Sequence, residues 1–536
     1  MIKRITGFLL SLCAVTISYP LIASDRGLSP DTHQIIVRLR DDGVRRIQSV
    51  QRNAVVPNLR LPDGSPLTFV RTFDGNGMVV RLPEAVTYRQ AEQLAAQLAA
   101  DPAVLAAQAD KRVYPDLIPV DPGYLPGNVL PPDNVLSGQW NLSDIDAGIR
   151  MQAGWDRETG SAGLVIAQLD TGIVTHRDID PARVLPGYDF FTGGLSNLNT
   201  ELDNDTILGD PVGRDPSPVD PGDVTVDNEC EPGSFGENSS WHGLSVAGIM
   251  VAESDNQFDM AGIDFAARLL PLRVLGKCGG SISDVADAIR WAAGLTVTGV
   301  PVNPTPARVI NLSLSGPGAC SPEEQSAIDA ALNAGAVVVV SAGNDGGSAD
   351  NQSPANCSGV LTVGATLRDG SHAGYSNTGA AVTLSAPGGL TQAFGDPDGI
   401  LVLSNNGATV QTTDTVIRIA GSSFSTAQVS AVASLMFAVD STLSAGQVRE
   451  ILRRTTYDFP DTSCTTATCG SGILDADAAL AGAADPASVL GAAVSGGGGS
   501  CSLATGPSRF DPLWLLLLLV AGVRYAVNSR RSRRNL

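Results

Sequence analysis

The rhythm of apolar and polar positions changes along the chain, and the changes mark its parts. Near the N-terminus, Ile35 to Leu39 (Ile-Ile-Val-Arg-Leu) and Val79 to Leu82 (Val-Val-Arg-Leu) alternate weakly and predict strands. Between Thr87 and Leu98, Ala91, Leu94, Ala95 and Leu98 fall on one face of a helix, which Asp101-Pro102 ends. Val104 to Val113 predicts a further strand. Together these elements predict a small α+β unit over 32–115. Frequent proline and glycine then predict a linker over 116–138.

From Leu164 the pattern becomes nearly continuous. The runs Leu164 to Leu169, Val309 to Leu314 and Ala336 to Ser341 suit strands buried on both faces of a parallel sheet. Helical stretches lie between them. Ser283 to Ala293 is one; another opens at Ser321-Pro322-Glu323-Glu324, with Ser321 as N-cap, Pro322 at the first helical position and Glu324 closing a capping box. Strands alternating with helices predict an α/β domain over 139–482, built on a doubly wound, mostly parallel sheet. In such sheets, sites form beyond the carboxyl ends of the strands.

Both termini have other characters. Lys3 and Arg4, apolar Gly7 to Ile17, and small Ala23 and Ser24 follow the order of a secretory signal, predicted over 1–24. The stretch 483–536 carries a Ser-Gly-Gly-Gly-Gly-Ser linker at Ser495 to Ser500, then Cys501, then an apolar run from Pro512 to Val523. Arg530, Arg531, Arg533 and Arg534 close it. The run is short against the roughly 20 residues of a membrane span, so the tail predicts transient membrane association and a sorting role. The expected location is secreted or at the cell surface.

A formal net charge of −20 excludes nucleic acid as a partner, because phosphate binding needs clustered Lys and Arg. Eight cysteines are present. With Cys13 in the signal and Cys501 in the tail, six remain in the body, and export favours disulfides among them. Fifteen connectivities are open to six cysteines. The pairing expected from position is Cys464–Cys469 across a short loop and Cys320–Cys357 on one face of the sheet, which leaves Cys230–Cys278.

The predicted strand ends carry Asp170-Thr171-Gly172, Ser313-Leu314-Ser315-Gly316 and Ser341-Ala342-Gly343-Asn344. Two further segments open predicted helices: His242-Gly-Leu-Ser-Val-Ala-Gly248 and Gly421-Ser-Ser-Phe-Ser-Thr-Ala427. In these segments, from about Gln139 to Leu480, the chain resembles the subtilisin family of serine peptidases, whose motifs run in the order Asp, His, Ser. The resemblance implies a subtilisin-like fold and a catalytic triad of Asp170, His242 and Ser423, with Asn344 stabilising the oxyanion. It also implies that Ser313, Leu314, Ser315 and Gly316 pair with an extended peptide substrate, opposite a wall of Ser341, Ala342 and Gly343. The region 32–115 resembles the family's inhibitory propeptide, which makes the chain's own N-terminal unit its first partner. A monomer acting on proteins or peptides is expected.

This sequence departs from the family pattern at Ser422 for Thr, Ala427 for Pro and Ser245 for a frequent second His. None of these removes a triad atom, although Ala427 leaves the opening of its helix less defined. Among the other histidines, His33 lies in the N-terminal unit and His372 in a Gly/Ser-rich loop, and His176 is expected at the edge of the site. Leu202 to Glu231 is rich in Asp, including Asp203, Asp205, Asp210, Asp215, Asp220, Asp223 and Asp227. Two readings stay open there: a solvated acidic loop, or a structural calcium site with Asp215 and Asp223 as its first ligands. Two rival functions remain as well. One is a binding protein on a degenerate protease scaffold. The other is an esterase, which the missing second Gly of a Gly-x-Ser-x-Gly elbow disfavours.

Overall fold

A computed structural model of the chain describes residues 31–40, 55–61, 63–73, 77–109, 119–124, 129–130, 135–136, 138–144, 146–193, 213–390, 396–460 and 462–491. The expected signal, the glycine-rich tail with Cys501, and Asp203, Asp205 and Asp210 lie outside them. The chain divides into two compact units, Met1–Leu117 and Ile118–Leu536.

In the first unit, five antiparallel strands are ordered Val55–Arg60, Pro66–Phe73, Gly77–Thr87, Asp31–Leu39, Val104–Ala109. The helix Tyr88–Leu98 covers this sheet. Ala91, Ala95 and Leu98 of its apolar face are buried, and Ile35, Val37, Leu67, Phe69, Met78 and Val80 supply the core beneath. Two of the five strands were not expected. Val55–Arg60 contains Pro57, which cannot donate to a ladder and is tolerated because this strand is at the sheet edge. In Pro66–Phe73 a register shift between Phe69 and Arg71 breaks the alternation that would reveal it.

The second unit is built on a seven-stranded sheet in the order Leu384–Pro387, Leu361–Thr366, Val337–Ser341, Val309–Leu312, Val165–Asp170, Arg268–Arg273, Tyr188–Asp189. Every pairing in it is parallel. The three apolar runs of the sequence are therefore its central strands, each residue of which is buried. One face, with Ala167, Leu169, Leu270, Leu272, Ile310 and Val338, packs against the helices Ile282–Ala292 and Pro322–Asn333. The capping box on Ser321 and Glu324 forms as expected. The helices His242–Val251 and Ser422–Val439 cover the other face, which is partly polar. There Gln168 Nε2 donates to the Gly243 carbonyl at 2.6 Å, and Ser430 Oγ donates to Asn311 Oδ1 at 2.8 Å. The helix Ser422–Val439 has the length and apolar character of a membrane span, but 89% of it is buried inside this unit. It runs unbroken through Ala427, so the opening of the helix does not need the proline.

All six body cysteines are bridged: Cys230–Cys278, Cys320–Cys357 and Cys464–Cys469. The boundary expected at 482 falls inside the helix Ala476–Ala484, which Pro486–Leu490 follows.

The stretch expected as a linker, 116–138, is not a plain spacer. Asp121 is fully buried within the second unit. Its carboxylate accepts from the backbone N–H groups of Asp255, Asn256 and Gln257 at 2.9, 3.1 and 3.2 Å. Asp255 and Gln257 adopt left-handed backbones (φ 64° and 66°), which turn those N–H groups toward one point. Tyr124 packs on Trp155, with ring centroids 5.7 Å apart. Proline and glycine content marks a break in regular structure, and it does not report that a carboxylate anchors the break. Asp121→Ala strands these N–H groups and is expected to cost about 2–3 kcal/mol. Thermal unfolding of the variant beside the unaltered chain checks this; an unchanged melting temperature would contradict it.

Candidate active site

The parallel sheet brings its strand ends to one edge. Asp170 is the last residue of Val165–Asp170, buried to 1% exposure in the middle of the sheet. Its Oδ1 accepts from the Thr171 backbone N–H at 2.8 Å and lies 2.7 Å from His242 Nδ1. His242 is the first residue of its helix. The helix comes this close to the strand because Gly243 follows: a Cβ there would sit 2.0 Å from the Gly172 carbonyl oxygen. Trp241 before it is held left-handed (φ 52°), a conformation that costs on the order of 1 kcal/mol for a non-glycine residue. The indole is buried and donates to the Gly407 carbonyl at 2.8 Å, which keeps the turn in place.

Burial acts to lower the His242 pKa. The charge of Asp170 and its hydrogen bond oppose that, and the charges of Asp223 and Asp220 add to them, so the net shift is upward. An imidazole in this setting accepts a proton readily at Nε2 while Nδ1–H stays directed at Asp170.

Ser423 lies in the first turn of Ser422–Val439, where helix N–H groups carry partial positive charge. Its hydroxyl donates to the Ser313 carbonyl at 3.3 Å, and the Ser313 hydroxyl donates to the Ser423 carbonyl at 2.8 Å. Asn344 follows the strand Val337–Ser341. Its Oδ1 accepts from the Ser422 N–H at 2.9 Å and the Ser422 hydroxyl at 2.7 Å, which leaves its Nδ2 as a donor. Ser422, which replaces the family's Thr, keeps the hydroxyl that does this. Ser245, in place of the second His, donates to the Leu403 carbonyl at 2.8 Å and packs inside the fold.

His242, Ser423 and Asn344 line one cleft of about 760 Å³, together with Ser313, Leu314, Ser315 and Ser341. Gly316, Ala342 and Gly343, also expected on its walls, make backbone bonds within the fold. Gly316 pairs with Ser353. Ala342 gives its N–H to the Val363 carbonyl, and the Gly343 carbonyl accepts from the Asn377 N–H. His176, expected at the edge, is instead buried: its Nδ1 accepts from the Asp178 N–H at 3.1 Å and its Nε2 meets the Thr415 carbonyl at 3.3 Å. The opposite wall was not legible in the sequence. The loop tethered by Cys230–Cys278 supplies it, with Thr225, Phe235, Glu237 and Asn238, and Phe235 is 82% exposed.

Of the acidic loop, only the part from residue 213 onward is described, and it includes both expected ligands. Asp215 Oδ1 accepts from the Ser217 N–H at 2.6 Å. Both oxygens of Asp223 accept from Ser240, at 2.6 and 2.7 Å. No group of three or more His, Cys, Asp or Glu among the described residues is arranged to hold a metal ion. Calcium is not assigned to either residue.

The model of the subtilase family matches residues 161–487. Over 406 residues the chain is 40% identical to an extracellular protease of Xanthomonas campestris pv. campestris, covering 76% of this chain and 64% of that protein. Over 425 residues it is 35% identical to an extracellular basic protease of Dichelobacter nodosus, covering 78% of this chain and 64% of the relative. The chain thus spans less than two thirds of the length of either relative. A solved protease structure from Pseudoalteromonas arctica superimposes with a TM-score of 0.60 at 41% identity, covering 64% of this chain and 97% of that one. With a match over most of its length, on the fold and the edge where its strand ends converge, this chain belongs to the subtilase family.

Proposed function

We propose that the chain is an exported serine endopeptidase, made as a precursor, that cleaves peptide bonds through an acyl-enzyme. One observation carries this reading: the 2.7 Å Asp170–His242 contact opens into the same cleft as Ser423. The names of the two extracellular relatives support both the activity and the location.

A serine hydroxyl is a weak nucleophile and needs a base. The Ser423 hydroxyl turns from the Ser313 carbonyl to His242 Nε2, gives up its proton and attacks the scissile carbonyl. Asp170 holds the tautomer that leaves Nε2 free and steadies the imidazolium that forms. The oxyanion accepts from the Ser423 backbone N–H and from Asn344 Nδ2, which Ser422 orients. His242 then returns the proton to the leaving amine. Water repeats the sequence on the acyl-enzyme. Because the base must be neutral, activity rises with pH through the raised pKa of His242.

The first unit, over the expected range 32–115, acts in this reading as an intramolecular inhibitor that the enzyme removes from itself. The tail over 483–536 serves export and is cut near its glycine run. The substrate is a protein or peptide, and its extended backbone lies along Ser313, Leu314 and Ser315.

Ser423→Ala is expected to abolish peptidase activity and to leave the precursor unprocessed in a host lacking other proteases. Immunoblotting of the secreted form checks this, and normal maturation of the variant would remove self-processing. Asn344→Ala is expected to lower kcat by about 10²–10³ with little change in KM, because the oxyanion exists only in the transition state; that magnitude is the one known for such a donor in subtilisin, and is carried over from it. Steady-state kinetics decide, and an effect confined to KM would count against the assignment.

A further inference from the structure

The start of the His242 helix is held by two carboxylates that the triad does not use. Trp241, at the N-cap position, gives the helix no side-chain cap. Two hydroxyl relays replace it. On one side the His242 N–H donates to Ser240 Oγ at 3.2 Å, and the Ser240 hydroxyl donates to Asp223 Oδ2 at 2.7 Å. The Ser240 N–H adds a bond to Asp223 Oδ1 at 2.6 Å. On the other side the Gly243 N–H donates to Thr171 Oγ1 at 3.0 Å, and the Thr171 hydroxyl donates to Asp220 Oδ2 at 2.6 Å. Asp220 is 2% exposed, and its Oδ1 is held by the Gly222 N–H at 2.9 Å. The first two N–H groups of the catalytic helix thus each end on a carboxylate, one hydroxyl away. Thr171 is also the residue next to Asp170, so the second relay meets the end of that strand.

We propose that Asp223 and Asp220 are positioning residues for His242: through Ser240 and Thr171 they fix the first turn of its helix, and they place negative charge behind the imidazole that steadies its protonated form. The inference rests on the peptidase reading above.

The charged groups around this point are few. Asp170, Asp223 and Asp220 act on His242, and Glu237 and Asp345 line the same cleft. Arg273 faces Asp220 but is paired with Asp189 at 2.6 Å. The ring of Phe424 lies 6.0 Å from the imidazole and carries no charge. Burial, opposed by the Thr171 hydrogen bond and reinforced by the charge of Asp223, pushes the Asp220 pKa up to about 7. Asp220 therefore gains its charge as pH rises through about 7. Each carboxylate stabilises the imidazolium, so losing one lets His242 lose its proton at lower pH.

The test compares the mature enzyme, produced from the full chain, with its Asp223→Asn and Asp220→Asn variants, using kcat and KM against pH on a short peptide and an NMR titration of the His242 ring. For Asp223→Asn the expected result is a fall in kcat on the order of tenfold with KM nearly unchanged, as a small misplacement of a catalytic group produces. The acid limb and the His242 titration should both move to lower pH, and Asp223→Glu should restore part of each. Asp220→Asn should act in the same direction, most clearly above neutral pH. Ser240→Ala cuts the first relay but keeps the charge, so it should lower kcat without moving the limb. If Asp223→Asn fails to mature, the NMR titration and the Ser240→Ala kinetics still decide. An unmoved His242 titration in the carboxylate variants, with kcat unchanged in Ser240→Ala, would overturn the proposal. Absence of peptidase activity in the unaltered chain would instead overturn the reading beneath it, and the NMR titration would still report on the relays.

Discussion

Everything at the site depends on the strands of the central sheet running in one direction. Because all its pairings are parallel, Asp170, Ser313 and Asn344 leave the sheet at the same edge. The helices that begin with His242 and Ser422 start at that edge and cross one face of the sheet. Close packing then sets the distances. Gly243 against Gly172 lets the histidine helix approach the strand end, and the 2.7 Å Asp170–His242 contact follows from that approach. A side chain at Gly243 would push the two apart without touching any reacting atom.

The face bearing these two helices is more polar than a sheet interior usually is. Gln168, Asn311 and Ser430 are buried there and bonded to helix or to one another. Hydrogen bonds between buried polar groups have directional requirements, so they favour one arrangement over neighbouring ones. The opposite face packs aliphatic and aromatic side chains against Ile282–Ala292 and Pro322–Asn333. One face thus supplies burial, and the other adds hydrogen bonds that orient the helices beginning with His242 and Ser422.

Much of this was legible in the sequence because it rests on local pattern. Unbroken apolar runs announce strands buried on both faces, and the Ser321 capping box announces a helix start whatever lies around it. Asp170, His242, Asn344 and Ser423 stand in short segments whose neighbours are small for a reason of packing. What was missed depends on distant partners. The strand Val55–Arg60 hides its character behind Pro57, which only an edge position permits. Asp121 looks like a linker residue until the three N–H groups around it are seen. Composition likewise does not reveal that both oxygens of Asp223 accept from Ser240, at the start of the His242 helix. The Cys230–Cys278 bridge was expected, but the sequence does not show that the loop it tethers brings Phe235 to the cleft.

The account stands on Ser423 being the nucleophile that His242 activates, although Ser422 and Ser425 are its near neighbours. Labelling the matured chain with a serine-directed phosphonate, followed by peptide mapping, tests this directly. The expected result is one label per chain, on Ser423, formed faster as pH rises through the titration of His242 and lost when His242 is replaced by alanine. A label on Ser422 or Ser425, or no label on a chain that still hydrolyses peptides, would contradict it.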